Sequence, residues 1–159
     1  MEPRLETIPE KKLIGQRKRM SFTNLQTRAL WQGFMPQRKR IANTLNTDLY
    51  SLEVYAPGFF DPYHPAAQFD KWAAVEVSGI GPVPEGMEPL LIPGGLYAVF
   101  LHKGAASQAA RTYNYIFSTW LPASKYAVDD RPHFAIMGSR YKADDPASEE
   151  EVWIPIKPK

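Results

Sequence analysis

Glu53 and Tyr55 are residues whose types and spacing could support proton transfer. They lie two positions apart in the segment SLEVY, so a β-strand would place both side chains on one face. A carboxylate that is removed from water has a raised pKa and can act as a general acid or base. We predict Glu53 and Tyr55 as catalytic candidates. A solvent-facing Glu53 on an amphipathic strand is the open alternative.

Aromatic residues supply a second kind of chemistry, the binding of flat apolar molecules. Phe, Tyr and Trp make up 13% of the 159 residues, enough to line a pocket with rings. Rings can stack on a planar ligand and attract a cation by about 0.5–2 kcal/mol, although core packing is the alternative for any single ring. The rings that we predict to bind a ligand are Trp31, Phe60, Trp72, Tyr113, Phe117 and Trp153.

The sequence does not indicate several other chemistries. Cysteine is absent, which excludes disulfides, thiolate nucleophiles and cysteine-ligated metal sites. His64, His102 and His133 lack the paired spacing of metal ligands, and no serine lies in a G-x-S-x-G turn. We therefore expect neither a metal nor a cofactor.

These candidate residues belong to an internal repeat. Two predicted helices end in similar aromatic segments, LWQGFMP at Pro36 and IFSTWLP at Pro122, because proline is costly inside a helix. Three further pairs of segments align in the same order, at offsets of 81 to 86 residues: 13–20 with 96–103, 50–56 with 132–138, and 71–77 with 152–158. The alignment makes Ala135 equivalent to Glu53 and Met137 equivalent to Tyr55. Ala135 and Met137 therefore join the predicted ligand-binding residues.

Each repeat is predicted to fold as strand, helix, strand and strand. We expect one domain, residues 1–159, with units of about 8–78 and 93–157 paired in an antiparallel sheet that carries two helices. This is α+β architecture with a central cleft between the halves. The long loop 56–68 carries Phe59, Phe60 and Tyr63, and it could cover an apolar site.

Four segments resemble the GyrI-like small-molecule-binding domains, which are related to the effector-binding domains of AraC-type and MerR-type multidrug regulators. They are GLYAVFLHKG, the helix ending in WLP, the Pro-x-Phe strand at 132–134 and the final VWIPIKP. The resemblance implies a doubled strand-helix-strand-strand fold and a central pocket for hydrophobic, often cationic, aromatic compounds. Some stand-alone relatives are similar to hydrolases that open cyclopropane-bearing DNA alkylators. That family usually carries a pocket glutamate directly after the strand's Phe, whereas here Ala135 follows Phe134.

Three functions follow from these observations. We predict a domain that binds hydrophobic, cationic aromatic compounds; the alternatives are a hydrolase of cyclopropanoid compounds and a protein-binding inhibitor or transcriptional co-regulator. Direct nucleic-acid binding is not expected, because no helix-turn-helix segment is evident and the basic residues fit a solvated surface. No apolar run suits a membrane span or a signal region, so we expect a cytoplasmic protein. The sequence leaves the oligomeric state open.

Overall fold

A computed structural model describes residues 1–60, 62, 64–142 and 145–159, together with the backbone but not the side chain of Ala106. Tyr63, which was predicted on the covering loop, lies outside the described residues. The strands are β1 (Arg4–Ile8), β2 (Lys11–Ser21), β3 (Leu49–Val54), β4 (Gln68–Glu76), β5 (Glu88–Ile92), β6 (Gly95–Lys103), β7 (Tyr126–Val128), β8 (His133–Met137) and β9 (Glu149–Pro158). The helices are α1 (Thr27–Phe34), which continues as a 3-10 helix over Met35–Arg40, and α2 (Ala109–Tyr115), which follows a 3-10 turn at Ala106–Gln108.

The described strands form one antiparallel sheet in the order β1-β6-β9-β8-β3-β4-β2-β5, with β7 paired to β9 beside this path. The two central strands, β3 and β8, come from different halves of the chain and pair with Ser51 opposite Ala135. Together with the two helices this confirms the predicted α+β fold class.

The strand register preserves the sequence repeat. In the first half Trp72 lies opposite Leu52 on β3 and Arg17 on β2, and in the second half Trp153 lies opposite Phe134 on β8 and Val99 on β6. Leu52 and Phe134 are themselves opposite each other at the centre. The two tryptophans therefore occupy corresponding places in the sheet, while the unit limits 8–78 and 93–157 stay a prediction.

Both helices pack on one surface of the sheet, which we call the helix face. Leu30 and Phe34, four residues apart on α1, bury themselves against a cluster that includes Ile14, Ala73 and Val75. On the other half, a second cluster joins Ile116 to apolar side chains of β6 and β9, including Phe100, Val152 and Ile154. The helix face of β3 and β8 lies between these two clusters.

The two helices end differently around their prolines. Pro36 lies in the 3-10 segment after α1, whereas α2 runs into a π-helical turn, Ile116–Trp120, followed by a short helical end, Leu121–Ala123, that contains Pro122. In the π turn the amide of Leu121 donates to the carbonyl of Ile116, five residues earlier. Proline lacks an amide hydrogen and crowds the preceding turn, which accounts for the loss of regular α-helix at both places.

The surface opposite the helix face is enclosed, because the sheet curls until its two edges meet. Short links join β1 to β2 at residues 9–10 and β5 to β6 at residues 93–94, although these strands lie at opposite ends of the sheet. The links touch: a side chain on Gly94 would come within 2.8 Å of the carbonyl oxygen of Ile8. We call the enclosed surface the inner face; it buries Leu13, Tyr50, Leu52, Trp72, Tyr97, Val99, Phe134 and Trp153.

Candidate functional site

The helix face of β3 and β8 lies between the parts of the sheet that α1 and α2 cover, and we call this strip the cleft. Side chains alternate along a strand, so Leu52 and Phe134 on the inner face leave Ser51, Glu53, His133 and Ala135 on the floor of the cleft. Met137 is on the same face at the end of β8. The two positions that the sequence repeat makes equivalent, 53 and 135, therefore share one face of the sheet.

Glu53 is the centre of a charged row across this floor. It lies opposite Lys71 on β4 and opposite His133 on β8. The ammonium of Lys71 donates to Oε2 of Glu53 at 3.1 Å, and both side chains are only 14% exposed. Glu53 is thus largely shielded from solvent and held in an ion pair, while its catalytic role stays a prediction.

Glu150 provides a second carboxylate near the first. It is partly buried and lies opposite His102 in the pairing of β9 with β6. Burial raises the pKa of Glu150, and the negative charge of Glu53 raises it further, whereas His102 and Lys71 act in the opposite direction. Glu150 therefore interacts electrostatically with Glu53 across the cleft, and Lys71 forms its ion pair with Glu53 rather than with Glu150.

Tyr113 on α2 lies close enough to these carboxylates to interact with them. Its pKa is raised well above the ordinary value, mainly by burial and also by the charges of Glu53 and Glu150. The phenol therefore stays protonated and offers a hydrogen-bond donor to the cleft. The role of Tyr113 in ligand binding stays a prediction.

His102 anchors α2 to the sheet behind Glu150. Its Nε2 lies 3.1 Å from the carbonyl oxygen of Ala105, and its Nδ1 lies 2.7 Å from the hydroxyl of Thr112. A carbonyl oxygen only accepts hydrogen bonds, so Nε2 must carry a proton and donate to Ala105, while Nδ1 shares a hydrogen bond with the hydroxyl of Thr112. His102 is 3% exposed and fixes the start of α2 in place.

The other end of the cleft is aromatic. The ring of His133 lies 5.0 Å from Tyr55, edge to face, and 6.2 Å from Phe117, stacked. Burial lowers the pKa of His133 to about 4, so the ring is neutral at pH 7. Phe60 stacks on Phe117 at 6.2 Å, so the loop after β3 reaches across the cleft to the π turn after α2. The sequence had predicted such a covering role for this loop.

A small cavity lies under this loop. Its volume is about 160 Å³, and Tyr55, Phe59, Phe60, Arg131 and His133 are among its lining residues. Sites for drug-sized ligands usually measure about 300–1,000 Å³. A bulky ligand that entered here would have to displace the loop.

The remaining predicted rings lie elsewhere. Trp31 is on α1 and packs edge-on against Phe34 at 5.9 Å. Trp72 and Trp153 are each 5% exposed on the inner face, where Trp153 stacks on Phe134 at 5.2 Å. The structure does not bring these two tryptophans to the cleft, because they alternate with residues that face the helices.

Lys71, His102 and Glu150 were not predicted as site residues. Glu150 belongs to the run SEEE, whose composition favours a solvated turn. In the structure, however, β9 already begins at Glu149. Extending the alternation backwards from Val152 and Trp153 would have placed Glu150 on the helix face. The same alternation from Ala73 would have placed Lys71 beside Glu53.

Two features are absent from the described ranges. Among those residues no three His, Asp or Glu side chains cluster as they would around a metal ion. None of the described helices has the length and apolar character needed to cross a bilayer.

Comparisons with known proteins agree with this architecture. Residues 1–157 match the model of the GyrI-like small molecule binding domain. The transcriptional regulator BrlR of Pseudomonas aeruginosa is 32% identical over 128 residues, which make up 80% of this chain but 45% of BrlR. The chain therefore spans less than half of that relative.

Two solved structures share the fold at low sequence identity. SAV2435, bound to tetraphenylphosphonium, is 17% identical with a TM-score of 0.73, over 99% of this chain and 94% of that one. EcmrR, in a complex with DNA, is 17% identical with a TM-score of 0.74, over 99% of this chain and 58% of that one.

Proposed function

The chain belongs to the family of GyrI-like small-molecule-binding domains, and we propose that it binds hydrophobic aromatic cations in the cleft on its helix face. The observation that carries this proposal is a carboxylate-rich floor beside a wall of rings. Glu53 and Glu150 lie at the polar end, and Tyr55, Phe60 and Phe117 lie at the aromatic end.

The charges of the floor suit a cation. Glu53 and Lys71 neutralise each other and His133 is uncharged at pH 7, so Glu150 is the acidic group of the floor that forms no ion pair within the described residues. Lys18, opposite Lys71 on β2, lines a separate surface depression with Leu30 and Gly86. A partly buried carboxylate is costly without a counter-ion, so a ligand cation would relieve that cost.

The rings suit a large aromatic ligand. Each ring near a cation contributes about 0.5–2 kcal/mol, more when water is excluded. The tetraphenylphosphonium complex of SAV2435 supports this choice of ligand class, because that protein shares the fold.

The proposed partner is a small molecule rather than nucleic acid, since α1 and α2 both pack on the sheet. The similarity to BrlR, a transcriptional regulator, suits an effector-binding role in the cytoplasm. Any contact with DNA would come from a different polypeptide segment.

Calorimetric titration with tetraphenylphosphonium tests the proposal, with triphenylphosphine oxide as an uncharged probe of similar shape. We expect micromolar binding of the cation and binding of the neutral probe that is weaker by at least tenfold. Glu150→Gln should weaken cation binding about tenfold and leave the neutral probe unaffected, because one charge contact contributes about 1–2 kcal/mol in such a site.

Glu149→Gln is the matched control. Glu149 is the preceding residue of β9, points to the opposite face and pairs with Arg140 at 3.0 Å. Its substitution should change cation affinity by less than twofold. Failure of the wild-type protein to bind tetraphenylphosphonium, or equal losses in both variants, would contradict the proposal.

A further inference from the structure

We propose that Lys71 is a specificity-determining residue: it acts as the built-in counter-ion of Glu53 and so limits the affinity of the cleft for ligand cations. This inference rests on the proposed function, because it concerns the charge that the same cleft presents to its ligand.

The geometry of the pair makes Lys71 compete with any ligand cation for the carboxylate of Glu53. Lys71 and Glu53 lie opposite each other on neighbouring strands, and Nζ of Lys71 is 3.1 Å from Oε2 of Glu53. Each of the two side chains is 14% exposed. Exposed ion pairs are mobile and screened by salt, but a pair fixed by a strand ladder and shielded from water is neither. A ligand cation that approached Glu53 would have to displace an ammonium that is already in place.

Whether a ligand can displace Lys71 from Glu53 depends on whether the ligand carries a hydrogen-bond donor. Lys71 donates a hydrogen bond to the Glu53 carboxylate, and such charge-assisted bonds are about twice as strong as neutral ones. A tetraaryl cation carries no N–H or O–H donor and cannot replace that bond. Such a ligand would instead place its charge beside Glu150, which lies outside the pair.

The position of the Glu53–Lys71 pair in the floor determines how strongly Lys71 affects the binding of a ligand cation. Glu53 lies between Lys71 on β4 and His133 on β8, and Glu150 is near enough to sense both Glu53 and Lys71. The remaining groups facing this row are His102 on β6, Tyr113 on α2 and, beyond Lys71, Lys18 on β2. Removing the charge of Lys71 makes the sum over Glu53, Lys71 and Glu150 more negative by one charge.

The test compares the affinity of tetraphenylphosphonium for wild type, Lys71→Met, Glu53→Gln and the double variant. We expect Lys71→Met to tighten binding at least tenfold and Glu53→Gln to weaken it by a similar factor, because the latter leaves Lys71 unpaired. The double variant removes the pair as a unit and should return to within about threefold of wild type. Triphenylphosphine oxide should bind all four proteins alike.

Lys18→Met is the matched control, since Lys18 faces the same surface directly opposite Lys71 but outside the pair. It should change cation affinity by less than twofold. An unchanged or weaker affinity in a folded Lys71→Met protein, or equal gains in Lys71→Met and Lys18→Met, would overturn the inference.

If Lys71→Met does not fold, the double variant, which leaves no unpaired charge, replaces it. The inference then requires Glu53→Gln to weaken cation binding and the double variant to restore it, and failure of that restoration would overturn it. Failure of the proposed function is distinguishable, because in that case wild type itself would not bind the cation.

Discussion

His133 is a buried ionisable ring that packs against aromatic side chains and lies opposite Glu53, and its burial makes the fold sensitive to acid. Its ordinary pKa of 6.5 falls to about 4 because the ring is buried, so the folded protein keeps it neutral where the unfolded chain protonates it. Its contribution is complete above pH 6.5 and is lost as the pH falls towards 4. The expected loss in the free energy of unfolding is about 3 kcal/mol over that interval.

Urea unfolding of wild type and His133→Gln between pH 7 and pH 4 measures this effect. The difference between the two proteins isolates the contribution of His133 from the rest of the protein. The wild-type protein should lose stability more steeply, so parallel curves would contradict the prediction.

The floor of the cleft also shows how one substitution can be offset by its neighbours. The family resemblance implies a carboxylate directly after Phe134, but Ala135 is there, buried opposite Ser51 and Val152. The described floor has its carboxylates at Glu53 and Glu150 instead. Under the proposed function, the negative charge is moved within the cleft rather than lost.

The loop between β3 and β4 is the element that closes the aromatic end of the cleft. Phe60 is 45% exposed, yet its ring stacks on Phe117 across the cleft. Because an aromatic contact contributes about 0.5–1.5 kcal/mol, Phe60→Ala should weaken tetraphenylphosphonium binding roughly 2- to 10-fold. Its effect on the melting temperature should be small, since much of the ring is already in water.

Leu91→Ala is a suitable comparison for this variant, because Leu91 is a similarly exposed apolar side chain, 48% accessible, on β5. Titration and thermal melting of both variants separate binding from stability. A larger loss of stability than of affinity in Phe60→Ala would show that the loop only supports the fold.

Element order was predictable from the sequence, whereas the use of each sheet face was not. Alternation and the repeat predicted both helices and the strands that correspond to β2, β3, β4, β6, β8 and β9, but neither β1 nor β7. Alternation alone does not say which face is enclosed, and Trp72 and Trp153 were predicted to line the cleft although they lie on the inner face. That outcome depends on links between strands at opposite ends of the sheet, which no local pattern reveals.

The start of β9 shows the same limit at closer range. The run of three glutamates favours a solvated turn by composition, but these residues pair with Leu101, His102 and Lys103 of β6. Tertiary pairing thus overrode local preference and brought Glu150 to the cleft.

At the scale of the whole molecule, the curled sheet separates the structural core from the binding surface. The inner face buries the two central tryptophans with Tyr97 and Phe134, while the cleft on the helix face retains charged groups that would be costly in a core. A protein built this way can change its cleft residues without disturbing its main apolar cluster. Closure of the sheet is therefore the feature on which the stability of the scaffold depends.

Gly94 tests that closure directly. A methyl group there would meet the carbonyl oxygen of Ile8 at 2.8 Å and the backbone of Pro9 and Glu10 at 3.2 Å, all of it main chain that cannot rotate away. Forcing the two links apart should cost about 1–3 kcal/mol, the range found for overpacking.

Gly79→Ala is the control, because an added methyl group at Gly79 meets nothing within 4 Å. We expect urea unfolding to show a clear loss of stability for Gly94→Ala and a change within about 0.5 kcal/mol for Gly79→Ala. Tetraphenylphosphonium affinity should stay near the wild-type value in whatever fraction of Gly94→Ala remains folded, because the links join edge strands of the sheet whereas the cleft lies over its central strands β3 and β8. Equal stability of the two variants would mean that the sheet edges do not need this close approach.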